Sequence, residues 1–261
     1  MIGDPVTHSR SPVMHNAAFA ALGLDWVYVA LPVARGQGGA AVQGAPALGL
    51  SGLNVTMPHK ADAAAACDEL DERAAALGAV NTIVVGPDGR RHGTSTDGPG
   101  LRAALADEGV VVGAGMACLV LGAGGAARAI ALELGRAGTA VTVTARRPEA
   151  AAAAAALAGA RALTFDDVVA EDFDVIVNAT PVGMHGEAPL VAPDRLRPGQ
   201  FVFDTVYPAE TPLLEAARAR GAGAAGGLGM LVHQGALAFE HFTGHAAPLD
   251  VMRAAARASG P

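Results

Sequence analysis

The sequence predicts an α/β protein of two lobes. Three observations lead there. The chain has 261 residues, long for one compact domain and suited to two of ordinary size. Hydrophobic residues make up 51% and charged residues 16%, enough apolar material for real cores and too little charge for a disordered chain. From residue 117 onward, short apolar runs alternate with helical stretches, the pattern of parallel strands joined by right-handed crossovers. The first lobe is expected over 1–97, and the chain changes character into the second over 98–229.

The elements follow in order. A helix is expected over 12–22, with Ser11 as its cap, Pro12 in its first turn and Gly23 as its stop. Strands are expected over 26–31 and 50–56, then one helix over 61–77 closing at Gly78. A strand over 79–85 pairs with 90–94 across the turn Pro87-Asp88-Gly89. A helix over 99–108 leads into the alternating region. There, strands are read at 117–121, 140–144, 175–177 and 201–204, with helices from Gly125 and over 150–157. The alanine run inside 150–157 reads as a solvent-facing helix built of the best helix former. Helices over 228–240 and 251–258 end the chain.

The balance of 18 basic against 25 acidic residues, net charge -7, excludes a nucleic-acid footprint or a polybasic membrane patch. Any anion must then be met by locally placed cations. No apolar stretch has the length of a membrane span, and the opening Gly3-Asp4-Pro5 turn is no signal peptide, so the chain reads as soluble and cytoplasmic. Cys67 and Cys118 have no metal-ligand spacing and read as buried structural thiols. His15, His59 and His233, with His8, have no ligand spacing either. No metal is expected.

Gly122-Ala123-Gly124-Gly125-Ala126-Ala127 follows an apolar strand and opens a helix. It fits the dinucleotide-binding GxGxxA pattern: Gly122 for the tight turn, Gly124 for close backbone approach to a pyrophosphate, Ala127 small enough for helix–strand packing. The pyrophosphate would lie on the helix N-terminus, where free N–H groups and the helix dipole favour an anion. After the next strand, where an NAD site carries an acid, stand Ala145-Arg146-Arg147. Two guanidinium groups attract a 2′-phosphate, so the expected cofactor is NADP.

Four polar clusters lie at the ends of expected elements: His8-Ser9-Arg10-Ser11-Pro12, Asn54-Val55-Thr56-Met57-Pro58-His59-Lys60, Gly78-Ala79-Val80-Asn81-Thr82 and Thr96-Asp97-Gly98. Their hydroxyls, amides, ammonium and carboxylate suit a small polyhydroxylated carboxylic acid. In this order, the clusters resemble the shikimate dehydrogenase family. The resemblance continues through the glycine loop, Asn178-Ala179-Thr180-Pro181-Val182-Gly183-Met184, the stretch 204–212, and Gly227-Leu228-Gly229-Met230-Leu231 as far as Gln234.

The resemblance implies an N-terminal α/β substrate-binding domain over 1–97, completed by C-terminal helices at 230–261, and a Rossmann-like NADP-binding domain over 98–229, with the active site in a cleft between. It implies NADPH-dependent, reversible reduction of 3-dehydroshikimate to shikimate, on the route to chorismate and the aromatic amino acids, by a monomer or homodimer. It assigns Lys60 and Asp97 as the catalytic pair. It assigns Ser9 and Ser11 to the substrate carboxylate, and Asn54, Thr56, Asn81 and Gln234 to ring hydroxyls, with Tyr207 also near the substrate. Thr180, Gly227 and Met230 would join Gly122, Ala123, Gly124, Gly125, Ala126, Arg146 and Arg147 around the cofactor.

The chemistry of the pair follows from charge. Hydride delivery to a ketone leaves an alkoxide unless a proton arrives, and an ammonium can supply it. A carboxylate beside the lysine orients it. Quinate and aminoshikimate dehydrogenases are the near alternatives, against which Ser11 and the two arginines lean. A non-catalytic regulator on the same scaffold is the alternative from another class. Against the family pattern, Ser95 and Ala145 stand where Asn is usual, Gly226 replaces a common Asp, and the first strand is expected to be short.

Overall fold

The protein is described here from a computed structural model covering residues 1–7, 9–207 and 210–258; His8 and part of the 204–212 stretch lie outside the described residues. The chain forms two compact units, Met1–Gly100 with Leu231–Pro261, and Leu101–Met230.

The first unit opens with β1 (Ile2–Gly3), α1 (Ser11–Ala21), β2 (Leu31–Pro32), α2 (Gly38–Gly44) and β3 (Gly52–Asn54). There follow α3 (Lys60–Ala65), β4 (Glu69–Leu70), α4 (Glu72–Leu77), β5 (Thr82–Val85) and β6 (Arg91–Thr94). β1 and β2 form a short parallel pair, and a bridge from Ile2 to Val55 carries the chain past the end of β3. The main sheet has the order β3-β5-β6-β4, antiparallel except for β4 beside β6. Ile2, Val42, Leu53, Val55, Ala63 and Ile83 form its apolar core.

Four expectations are corrected here. Residues 26–31 are not a strand beyond Leu31, because the Asn16 side chain takes the backbone of Tyr28: its Oδ1 accepts from the Tyr28 N–H at 2.8 Å and its Nδ2 donates to the Tyr28 carbonyl at 2.9 Å. Both groups a neighbouring strand would use are thereby satisfied. The single helix over 61–77 is two, α3 and α4. The Asp68 and Asp71 N–H groups donate to the Arg91 and Gly93 carbonyls, which draws 69–70 into the sheet, and Asp71 caps α4 by accepting from the Ala74 N–H. Ser11 is the first residue of α1 rather than its cap; its N–H donates to Ser9 Oγ at 3.2 Å. Cys67 is only half-buried, whereas Cys118 is buried.

The second unit takes in most of α5 (Asp97–Asp107), then β7 (Ala117–Leu121), α6 (Gly125–Arg136), β8 (Ala140–Thr144), α7 (Pro148–Leu157) and β9 (Arg161–Leu163). It continues with β10 (Val175–Asn178), β11 (Phe201–Asp204), α8 (Pro212–Ala219) and β12 (Gly223–Gly226). The chain ends in α9 (Leu228–Thr243) and α10 (Leu249–Ala258). The six strands are all parallel in the order β9-β8-β7-β10-β11-β12, so strand order reverses between β7 and β10, the doubly wound arrangement of dinucleotide-binding sheets. Parallel strands are covered on both faces, which explains the unbroken Leu-Val-Leu of β7 and Val-Ile-Val of β10 at the centre of the sheet. Val120 and Val177 face one apolar cluster, Leu119 and Ile176 the other. The alanine-rich α7 is not merely solvent-facing: Ala151, Ala154 and Ala155 are buried, their small side chains packing one face of the helix onto the unit's core. No described helix is long and apolar enough to cross a membrane.

Candidate active site

In the first unit, sheet ends and helix starts converge on a polar cluster. Lys60 begins α3 and Asp97 begins α5. Lys60 Nζ lies 2.5 Å from Asp97 Oδ2, with the two side chains 15% and 10% exposed, so solvent screens the pair only partly. The other Asp97 oxygen accepts from Asn81 Nδ2 at 2.8 Å. Asn81 is buried just ahead of β5, and its orientation is unambiguous. A carboxylate can only accept, so Nδ2 faces Asp97. The Thr96 N–H can only donate, so Oδ1 faces it, at 2.9 Å. Gln234 on α9 also lies beside Asn81, its Oε1 3.3 Å from Nδ2.

Asn54 ends β3 and is buried. Its Nδ2 donates to the Asn81 carbonyl and to Thr82 Oγ1, each at 3.0 Å, and its Oδ1 accepts from Tyr28 Oη at 2.7 Å. Ser11 is buried and Ser9 half-buried. The Ser11 carbonyl meets His15 Nδ1 at 3.0 Å. Thr56 is half-buried; its N–H donates to the Ile2 carbonyl, and its own carbonyl accepts from the His59 N–H. His59, next to Lys60, is fully buried with Nε2 2.8 Å from the Val33 carbonyl.

The structure thus brings Lys60, Asp97, Asn81, Gln234 and Asn54 into one network. Tyr28, Thr82 and Thr96 belong to it and were not assigned from the sequence. Thr82 and Thr96 stood inside motifs already singled out. Tyr28 carried no such signal, because its partner Asn54 is 26 residues away. Burial pushes the Tyr28 hydroxyl up, with the Ser11 hydroxyl partly opposing, and pushes His15 down to about 4, so the imidazole is neutral. Burial also raises Cys67 and Cys118 to about 11, which leaves both thiols protonated and unreactive near neutrality.

In the second unit the glycine loop lies where strand order reverses. Gly122 has φ +118, and a Cβ there would meet the Ala179 carbonyl at 2.9 Å and Thr180 Cγ2 at 3.0 Å. Gly124 stands at the N-cap of α6 without a side-chain cap, and Gly124 and Gly125 are exposed, so the first N–H groups of a 12-residue helix are bare. Ala127 is fully buried, as its packing role requires, and Ala123 and Ala126 are half-buried. Arg146 and Arg147 are exposed beyond β8, with Arg147 4.0 Å from Glu149. These features fit a dinucleotide: a close backbone approach, a bare helix N-terminus for the pyrophosphate, and cations for a 2′-phosphate.

Thr180 donates through both its N–H and its hydroxyl to Asn178 Oδ1, at 3.1 and 2.7 Å. Asn178 in turn donates to Asp204, which also accepts from Thr211 Oγ1 and the Val206 N–H; burial nevertheless raises the Asp204 carboxyl. Asn178, Asp204 and Thr211 therefore shape the loops around Thr180. A Cβ on Gly227 would lie 2.1 Å from the Thr205 carbonyl, so only glycine fits. Met230 is buried in the unit's core, and Tyr207 is half-buried.

Residues 1–83 match the family model for the shikimate dehydrogenase substrate binding domain, and 227–257 that for the shikimate 5′-dehydrogenase C-terminal domain. Residues 118–208 match the model for NADP oxidoreductase, coenzyme F420-dependent. The chain is 50% identical over 265 residues to a shikimate dehydrogenase (NADP(+)) of Anaeromyxobacter dehalogenans, covering 97% of this chain and 94% of that one. It is 45% identical over 270 residues to one of Methanopyrus kandleri, covering 98% and 93%. The fold is similar to the crystal structure of shikimate 5-dehydrogenase from Thermus thermophilus in complex with NADP(H) and shikimate, with a TM-score of 0.91, 37% identity and coverage of 98% and 97%.

Proposed function

The chain belongs to the shikimate dehydrogenase family, and from that premise we propose that it catalyses the reversible, NADP-dependent interconversion of 3-dehydroshikimate and shikimate in the cytoplasm. The observation that carries the reading is the Lys60–Asp97 pair, an ammonium and a carboxylate in contact inside a network of amides and hydroxyls. The first unit holds the substrate and the second the cofactor. When bound, NADP supplies or accepts the hydride.

The chain's own groups do the rest. In the reducing direction Lys60 Nζ donates a proton to the oxygen that becomes the alcohol, and its charge stabilises the alkoxide as it develops. In the oxidising direction the same nitrogen takes the proton back. Asp97 holds the ammonium in place, and Asn81 holds Asp97. Ser9 and Ser11 take the substrate carboxylate; Asn54, Thr56, Asn81 and Gln234 take ring hydroxyls; Tyr207 completes the set. Gly122, Ala123, Gly124, Gly125 and Ala126 cradle the pyrophosphate, and Arg146 and Arg147 take the 2′-phosphate. Thr180, Gly227 and Met230 line the nicotinamide side. The protein acts on a small molecule as a monomer or homodimer, without nucleic acid or membrane.

Initial rates with shikimate or quinate, each against NADP or NAD, test this reading. Shikimate-dependent reduction of NADP is the expected result. Turnover chiefly with quinate or NAD would overturn the specificity, and folded protein without turnover would overturn the catalytic reading.

A further inference from the structure

The network around Lys60 does not end at the residues assigned to substrate. The hydrogen bonds have one consistent direction. Thr82 Oγ1 donates to Asn81 Oδ1 at 3.1 Å, so it meets Asn54 Nδ2 with a lone pair. Asn54 Nδ2 must also face the Asn81 carbonyl, which can only accept. Both amide protons of Asn54 are therefore used inside the protein. Its oxygen faces Tyr28 Oη, which donates to it. One lone pair on Oδ1 is all that Asn54 has left to offer.

Tyr28 is built to hold that arrangement. Its ring stacks on His15 with centroids 4.2 Å apart and planes 19° from parallel. His15 is itself anchored at the Ser11 carbonyl, and Asn16 clamps the Tyr28 backbone from both sides. Ring, backbone and hydroxyl are all held, so the hydroxyl cannot swing away and let the Asn54 amide turn over.

We infer that Tyr28 and Thr82 are positioning residues that make Asn54 an obligate hydrogen-bond acceptor, so that a substrate hydroxyl is admitted there and a ketone oxygen is refused. The inference rests on the proposed function, in which Asn54 meets the ring. It adds an orientation rule. The carbonyl of the oxidised substrate has no proton to give Asn54, and finds its donor in the Lys60 ammonium. An uncompensated lone-pair contact in a buried site costs more than the hydrogen bond it replaces, which turns the amide's orientation into selectivity.

The test is a kinetic cycle on Tyr28→Phe, Asn54→Ala and the double variant, with wild type first. Tyr28→Phe keeps the stack on His15 and removes only the hydroxyl. It should raise KM for shikimate by about tenfold, the worth of one buried hydrogen bond, with kcat and KM for NADP changed by less than about twofold. In the Asn54→Ala background the same change should add less than about twofold, because the amide it positions is gone. Thr82→Val should repeat the Tyr28→Phe effect and Thr82→Ser should restore wild-type KM, an arm that stands even if Tyr28→Phe fails to fold. A Tyr28→Phe KM like that of wild type, or the same factor with and without Asn54, overturns the inference while leaving the proposed function intact. An inactive, folded wild type overturns the proposed function and the inference with it.

Discussion

The two units build their candidate ligand sites from different material. In the first, the groups that would meet a ligand are side chains: Lys60, Asp97, Asn81, Asn54 and Gln234, each oriented by another side chain or a nearby carbonyl. In the second, the groups are mostly main chain. The glycine loop offers N–H groups at the start of α6, its shape depends on the absence of a side chain at Gly122, and the chain after β12 passes Thr205 only because Gly227 has none. The lesson is that the two sites should fail in opposite ways. The first is broken by removing a polar atom; the second is broken by adding a carbon.

The largest effect belongs to the first site. Lys60→Ala should lower kcat by about a thousandfold, the typical contribution of a positioned proton donor that also carries charge, with NADP affinity nearly unchanged. Steady-state rates with equilibrium titration of NADP check this. Comparable losses in turnover and NADP binding would erase the contrast between the units.

Next comes a stability effect centred on His15. Its folded pKa, near 4, lies below the unfolded value near 6.5 because burial disfavours the charged form. The unfolded chain therefore takes up a proton that the folded chain refuses. The stabilisation is full above about pH 6.5 and is lost as pH falls toward 4, by roughly 3 kcal/mol in all. Urea midpoints between those pH values should fall more steeply for wild type than for His15→Phe. Parallel curves would show that the imidazole is not held neutral.

Gly122→Ala sharpens the comparison from the other side. It places a Cβ against the Ala179 carbonyl at φ +118, strain of about 2 kcal/mol. NADP affinity should fall by about thirtyfold while shikimate binding to the enzyme alone stays near wild type. Equal loss of both ligands would mean that the substitution unfolds the chain rather than the loop.

The smallest effect is the most specific. Arg146→Ala with Arg147→Ala should weaken NADP by about tenfold and leave NAD nearly untouched, since in the proposed function only the 2′-phosphate would meet the guanidinium groups. Equal losses for the two cofactors would refute the phosphate assignment.

Legibility in the sequence followed the same division. β7, β8 and β11 lie where the short buried runs placed them, because a strand covered on both faces is marked by consecutive apolar or small uncharged residues, Ala-Cys-Leu-Val-Leu in β7, Ala-Val-Thr-Val-Thr in β8 and Phe-Val-Phe in β11. The first unit was harder. Residues 26–31 have the composition of a strand, yet the Asn16 amide takes the backbone groups of Tyr28. Residues 61–77 have the composition of one helix, yet the Arg91 and Gly93 carbonyls and the paired Asp68–Arg91 side chains hold 67–71 outside it. The short strands β4, β9 and β12 and the helix α2 escaped notice, being brief or poor in apolar residues, and α8 was passed over although Thr211 caps it, Pro212 opens it and Leu213, Leu214 and Ala217 form its buried face.

The sequence by itself determined the glycine loop, the arginines beyond β8 and the residue types of the polar clusters. Those signals are local: a tight turn, a bare helix start and a charge are properties of a few consecutive residues. Only the tertiary structure decided which amide faces which way. Asn54 is turned by Tyr28, 26 residues away, and by the Asn81 carbonyl, 27 away; Asn81 meets Gln234 across 153. An amide looks the same in sequence whichever end it presents. Its orientation is set by neighbours that can only accept or only donate, and the fold alone brings those neighbours within reach.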